Sequence, residues 1–189
     1  IVKKNEVRAF LSKIPKRILV VFDEAYAEYV TDADYPDTLA FLKEGVPLIL
    51  LRTFSKIYGL AGLRIGYGIG HAEVIGYMNR VRQPFNSNFP GQHGALAALT
   101  DESHFTRSKE INQRGKEELY RAFKTMGISY FPSEANFIYF FLEGKSSDIG
   151  KKIHGALLKK GVIIRHFGGA FLRVSIGLPR ENKRFIREL

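Results

Sequence analysis

A lysine placed directly after a run of apolar strand-formers is an amine positioned to react. Here that lysine is Lys56, with Thr53 and Ser55 just before it and Arg64 further on. An amine becomes a nucleophile for carbonyl carbon where its surroundings let it lose a proton. Two hydroxyls and a guanidinium in the same stretch would suit a phosphate, because the planar fork of arginine matches phosphate oxygens. Gly59 and Gly62 permit a tight loop between these groups. Upstream, Asp23 ends a second apolar run and Tyr26 follows it. A carboxylate at a strand end can meet a cationic ring nitrogen, and a phenol three residues on can return to the same pocket. Taken alone, Asp23 reads first as a cap for the next turn, and any one lysine reads as a solvated surface cation.

The elements that must position these groups follow from periodicity. Residues 5–13 have helical spacing and Pro15 ends that helix. Residues 18–22 form an unbroken apolar run, which predicts a parallel strand covered on both faces and delivering Asp23 at its carboxyl end. A polar loop over 31–37 leads to a short helix at 38–43. A second buried strand at 48–54 ends at Ser55 and Lys56, and a glycine-punctuated third spans 64–69. Ligands in open α/β sheets bind at the carboxyl ends of strands, where Asp23 and Lys56 both fall. Helices are expected at 73–82, 91–99 and 104–126, with Gly127 as a C-cap. Beyond them come a strand at 137–142, a helix at 149–159, strands at 162–165 and 171–176, and a last helix from Arg180. The expected fold class is α/β: part of a large domain with a mostly parallel sheet over 1–91, then a small α+β domain over 92–189.

Composition narrows the function. The 189 residues are 45% hydrophobic and 25% charged, which is ordinary for a globular protein. No apolar run approaches the roughly 18 residues of a membrane span, so no membrane partner is expected. Cysteine is absent, which excludes thiol nucleophiles, disulfides and thiolate metal sites, and fits a cytoplasmic protein. The five histidines lack metal-ligand spacing, and no metal is assigned. Lys and Arg outnumber Asp and Glu by 29 to 19, giving +10. These basic residues are scattered without interleaved aromatics, so a solvated surface with a phosphate site is favoured over nucleic-acid binding.

The segments VVFDEAYAEY, RTFSKIYGLAGLRIGYGIG, RQPFNSN, SEANFIYF, GVIIRHF and FLRVSIGLPRENKRF occur in this order along the chain. Together they resemble the fold-type I aminotransferases that depend on pyridoxal 5'-phosphate, in the branch that includes the histidinol-phosphate aminotransferases. The resemblance implies that Lys56 holds the cofactor as an imine and, once released, moves a proton. It implies that Asp23 pairs with the pyridinium nitrogen, Ala25 packs on the ring face and Tyr26 hydrogen-bonds the phenolate oxygen. Ser55 and Arg64, with Thr53, would hold the phosphate. Arg165 and Arg173 would grip the substrate's anionic group, and Asn136 would shape a turn near the site. The implied substrates are a phosphorylated amino compound, L-histidinol phosphate, and 2-oxoglutarate, in a homodimer.

Family members are much longer, and their segment ahead of the Asp23 strand has no counterpart here. A fragment of a longer protein is therefore expected, with activity of the isolated chain in question. An aromatic aminotransferase or a threonine-phosphate decarboxylase would carry the same lysine motif. A non-catalytic fragment is the alternative of another class.

Overall fold

The computed structural model describes residues 1–144, 146 and 148–189. The chain forms two compact units, Ile1–Phe105 and Thr106–Leu189.

The first unit holds α1 (Lys4–Lys13), β1 (Val20–Asp23), α2 (Thr38–Lys43), β2 (Leu48–Thr53), β3 (Gly66–Gly70), α3 (Ala72–Val81) and α4 (Phe89–Thr100). Pro15 closes a turn by accepting from the Ile18 N–H, at 2.9 Å. The ladder begins only at Val20, whose N–H donates to Pro47 O at 3.0 Å, so β1 starts later than the apolar run suggests. Strand β1 pairs with β2 in parallel, with Asp23 opposite Leu51. Strand β3 returns antiparallel to β2, with Gly66 opposite Thr53.

The expectation of a mostly parallel sheet is therefore corrected to a mixed three-stranded sheet in the order β1-β2-β3. A parallel return needs a crossover, usually a helix. The chain between β2 and β3 contains only a short 3-10 turn at Ala61–Leu63, so it folds straight back.

The two sheet faces differ. Residues two apart on a strand share a face. Leu48 and Leu50 pack with Val7 of α1 and Phe41 of α2, and Val20, Phe22 and Ile69 join them. The other face carries Val21, Asp23, Leu51 and Thr53 opposite the glycines of β3. Val21 there is 55% exposed. Strand β1 is thus covered on one face, not on both as its unbroken apolar run suggests.

Helix α4 belongs to this unit because of its cap. Asn88 Oδ1 accepts from the Gly91 N–H at 2.7 Å, while Asn88 Nδ2 donates to Leu63 O at 2.7 Å. One side chain so ties the helix start to the loop after β2. The division falls inside α5 (Glu102–Met126), C-terminal to the change expected near residue 92.

The second unit adds β4 (Ser129–Phe131), β5 (Phe137–Phe141), α6 (Ile149–Lys159), β6 (Arg165–His166), β7 (Phe171–Ser175) and α7 (Pro179–Glu188). Its strands form an antiparallel sheet in the order β4-β5-β7-β6. Leu119 and Phe123 of α5, Leu157 of α6 and Phe185 of α7 pack on Ile138, Phe140, Leu172 and Val174. The strand expected at 162–165 is reduced to Arg165–His166. Val162 instead donates to Leu157 O at the end of α6, at 2.9 Å, and Ile164 is buried in the core.

Candidate active site

Two loops at the carboxyl ends of β1 and β2 carry the groups singled out from the sequence. Asp23 is the last residue of β1 and its Oδ1 accepts from the Ala25 N–H at 3.2 Å. That bond turns the chain toward Tyr26. Among the described residues, no cation lies within ion-pair distance of Asp23. The Lys56 Nζ stands 5.0 Å from the centre of the Tyr26 ring, so the structure brings these two together. Among the described residues Lys56 has no ion pair.

The loop from Phe54 to Arg64 is held from inside. Phe54 and Ile57 are buried. The Phe54 N–H donates to Ile65 O at 3.2 Å, and the Leu60 N–H donates to Phe54 O at 2.9 Å. Thr53 Oγ1 donates to Ile65 O at 3.4 Å and accepts from the Ser55 N–H at 3.0 Å. The Thr53 hydroxyl is thus committed to shaping the loop, whereas the Ser55 hydroxyl has no such bond among the described residues. Arg64 adopts a left-handed backbone, φ 53° and ψ 50°. That conformation is uncommon without glycine and often marks a functional position. Its Nη1 donates to Ala61 O at 2.8 Å. No carboxylate pairs with it among the described residues. The arrangement therefore presents an amine, a carboxylate, a phenol, a hydroxyl and a guanidinium with donor capacity to spare. These groups fit a ligand with a cationic ring nitrogen, an aldehyde and a phosphate.

Three supports escaped the sequence reading. Glu24, one residue past Asp23, is 4% exposed. It accepts from Arg52 Nε at 3.1 Å and Nη2 at 3.0 Å, from Thr38 Oγ1 at 2.5 Å and from the Tyr35 hydroxyl at 3.3 Å. Burial pulls the Arg52 pKa down, but the hydrogen bonds and charge of Glu24 more than reverse this and raise it. The pair fastens the end of β1 to the end of β2, four residues before Lys56. A charged residue between Leu51 and Thr53 was the available signal. Burial, followed by the charge of Glu24 beside it, pushes the Tyr35 phenol up to about 12. On α5, His104 Nε2 lies 3.1 Å from Ile57 O, bracing the lysine loop where Gly59 takes φ 72°.

In the second unit, Arg165 and Arg173 are direct cross-strand partners. The guanidinium of Arg173 lies 4.8 Å from the centre of the Phe137 ring. Asn136, just before β5, accepts from the Ile176 N–H through its backbone carbonyl at 2.9 Å, which extends the β5–β7 pairing by one residue. Among the described residues, no group of three or more His, Cys, Asp and Glu is arranged to hold a metal ion.

The family model for aminotransferases of class I and II matches residues 1–189. The chain belongs to this family. The aminotransferase chain is 48% identical over 194 residues to histidinol-phosphate aminotransferase of Moorella thermoacetica, covering 100% of this chain and 49% of that one. It is 48% identical over 189 residues to histidinol-phosphate aminotransferase 1 of Nitrosococcus oceani, covering 98% of this chain and 50% of that one. In structure it matches the histidinol-phosphate aminotransferase of Sinorhizobium meliloti solved with pyridoxal-5'-phosphate, at TM-score 0.89 and 26% identity. That match covers 98% of this chain and 51% of the other. The fold is accordingly the fold-type I aminotransferase fold, and the chain spans about half the length of the curated relatives it matches.

Proposed function

We propose that the protein to which this aminotransferase chain belongs transfers an amino group between L-histidinol phosphate and 2-oxoglutarate, using pyridoxal 5'-phosphate. The observation that carries this reading is the Lys56 amine, lacking a carboxylate partner among the described residues and set beside Tyr26 after β2. The identity of 48% to relatives named for this activity supports the choice of substrate.

Bound there, the cofactor supplies an electron-withdrawing ring that stabilises negative charge at the substrate's Cα. Asp23 would keep the ring nitrogen protonated by offering it a carboxylate. Tyr26 would donate its hydroxyl to the ring oxygen, and Ala25 would pack against the ring. Ser55 and Arg64 would hold the phosphate, while Thr53 fixes the backbone that presents Ser55. Lys56 would hold the cofactor through its amine and, once released, would use its free Nζ to take the proton from the substrate's Cα. Arg165 and Arg173 bind the anionic end of the amino substrate.

A homodimer is part of the same proposal. Tyr77 and Val81 of α3, Phe85 beyond it, and Phe89, Leu96 and Leu99 of α4 are all exposed apolar side chains that a second copy could cover. A cytoplasmic site for this biosynthetic step is consistent with a chain free of cysteine. Among the described residues, no helix is long and apolar enough to cross a membrane.

Steady-state kinetics of the full-length protein test the substrate. Histidinol phosphate should give a kcat/KM above those of phenylalanine, tyrosine and threonine phosphate. A preference for an aromatic amino acid, or decarboxylation of threonine phosphate, would overturn the assignment.

A further inference from the structure

Two like charges face each other on the outer side of the second unit's sheet. Arg165 of β6 and Arg173 of β7 stand in register. Like charges directly opposite in an antiparallel pair repel, and the cost grows when neither is neutralised. Among the described residues, no carboxylate lies within ion-pair distance of either. What lies near them instead is aromatic: Arg173 is nearest Phe137, at 4.8 Å, and one ring, that of Phe167, neighbours both arginines. The centre of Phe167 is 5.5 Å from the guanidinium carbon of Arg165 and 5.5 Å from that of Arg173.

The ring is held by the connection that carries it. The Phe167 N–H donates to Phe171 O at 3.0 Å, and the Phe171 N–H donates to Gly168 O at 3.1 Å. Gly168 and Gly169 take φ 97° and 54°. A side chain at either position would be strained. The Phe167 ring meets Tyr139 edge-on at 5.5 Å and 77°. Tyr139 in turn stacks on Phe171, at 5.6 Å and 6°. Phe167 is nevertheless 49% exposed, so filling the core does not account for its place.

We propose that Phe167 is a positioning residue that draws both guanidinia to one ring and so pre-forms a two-arginine grip for a phosphate monoester. This rests on the reading of Arg165 and Arg173 as the substrate's anion-binding pair. The electron-rich face of the ring attracts each cation and offsets part of their repulsion. Two flexible side chains held in place before binding lose less freedom when the phosphate arrives. A phosphate dianion then completes the pair through charge-assisted hydrogen bonds.

The test uses the full-length enzyme, with inorganic phosphate as a competitive inhibitor and histidinol phosphate as substrate. Phe167→Leu keeps apolar bulk and removes the ring, whereas Phe167→Tyr keeps the ring. With Leu, the phosphate inhibition constant and the KM for histidinol phosphate should both rise roughly tenfold, while kcat stays within about twofold. With Tyr, both constants should return close to the parent values. Unchanged phosphate binding in Phe167→Leu, while Arg165→Ala and Arg173→Ala each lose it, would overturn the positioning role and leave the arginine pair standing. Unchanged binding in both arginine variants would overturn the pair and the proposal with it. Equal losses in the Leu and Tyr variants would also overturn it, because the aromatic face would then not be what matters.

Discussion

The two sheets of this chain each bury one face under helices, but the number of helices differs. In the second unit, three helices cover one face, and Leu119, Phe123, Ile138, Phe140 and Leu172 are each 0% exposed. In the first, two helices cover one face, where Leu48 and Leu50 are each 0% exposed, while Val21 and Leu51 on the other face stay at least one-third exposed, as Phe131 and Phe171 do in the second. The residues proposed to hold the cofactor lie on the less covered sheet, at its strand ends. There the chain keeps its geometry through polar fastenings, Glu24 with Arg52 and Thr53 with Ser55 and Ile65, more than through packed apolar bulk. Packing fixes the second unit, whereas in the loop bearing Lys56 these hydrogen bonds act together with buried Phe54 and Ile57.

The sharpest way to break that contrast is to empty each region in turn. Phe140→Ala should cost the second unit about 3–5 kcal/mol, because it leaves a cavity among fully buried neighbours. Hydrogen exchange of the β5 and β7 amides would read it. Glu24→Ala should cost the first unit about 2–3 kcal/mol, since it strands a guanidinium that keeps some contact with water. Exchange should then quicken at the carboxyl ends of β1 and β2. Val21→Thr lies on the open face. It should change stability by about 0.5 kcal/mol at most, as surface substitutions usually do. A cost near that of Phe140→Ala would show that this face is packed after all.

A further effect is one of pH. The folded Tyr35 phenol titrates near 12, above its ordinary value of 10.0. Between those values the unfolded chain releases the proton while the folded chain keeps it. The contribution of Tyr35 to stability is therefore present below pH 10 and is lost as pH rises toward 12. Urea unfolding across this window should lose part of its pH dependence in Tyr35→Phe.

Much of this was legible in the sequence, for physical reasons that differ by element. The helices at Thr38–Lys43 and Ile149–Lys159 fall where periodicity and their flanking Pro and Gly residues place them. The strand that ends at Asp23, and the one that leads into the loop bearing Lys56, could be read from apolar runs that stop at polar residues, although β2 ends at Thr53, before Lys56. The direction of β3 could not, because it depends on the connection after β2 lacking a helix, not on the strand's own residues. The open face of β1 was also hidden, since an unbroken apolar run records what a strand can bury, not what covers it in this chain. Glu24 and Arg52 were missed because two charges far apart in sequence become one buried pair only when β1 and β2 lie side by side. Phe167 ended the segment GVIIRHF, but no role could be read for it, because its place beside both arginines is created by the β6–β7 register.

The most direct measurement of the central claim is covalent. Full-length protein incubated with pyridoxal 5'-phosphate, reduced with borohydride and digested should carry the cofactor's mass on the peptide containing Lys56. Lys56→Ala should lose both that label and the transamination. A label on another lysine, or normal turnover in Lys56→Ala, would contradict the account.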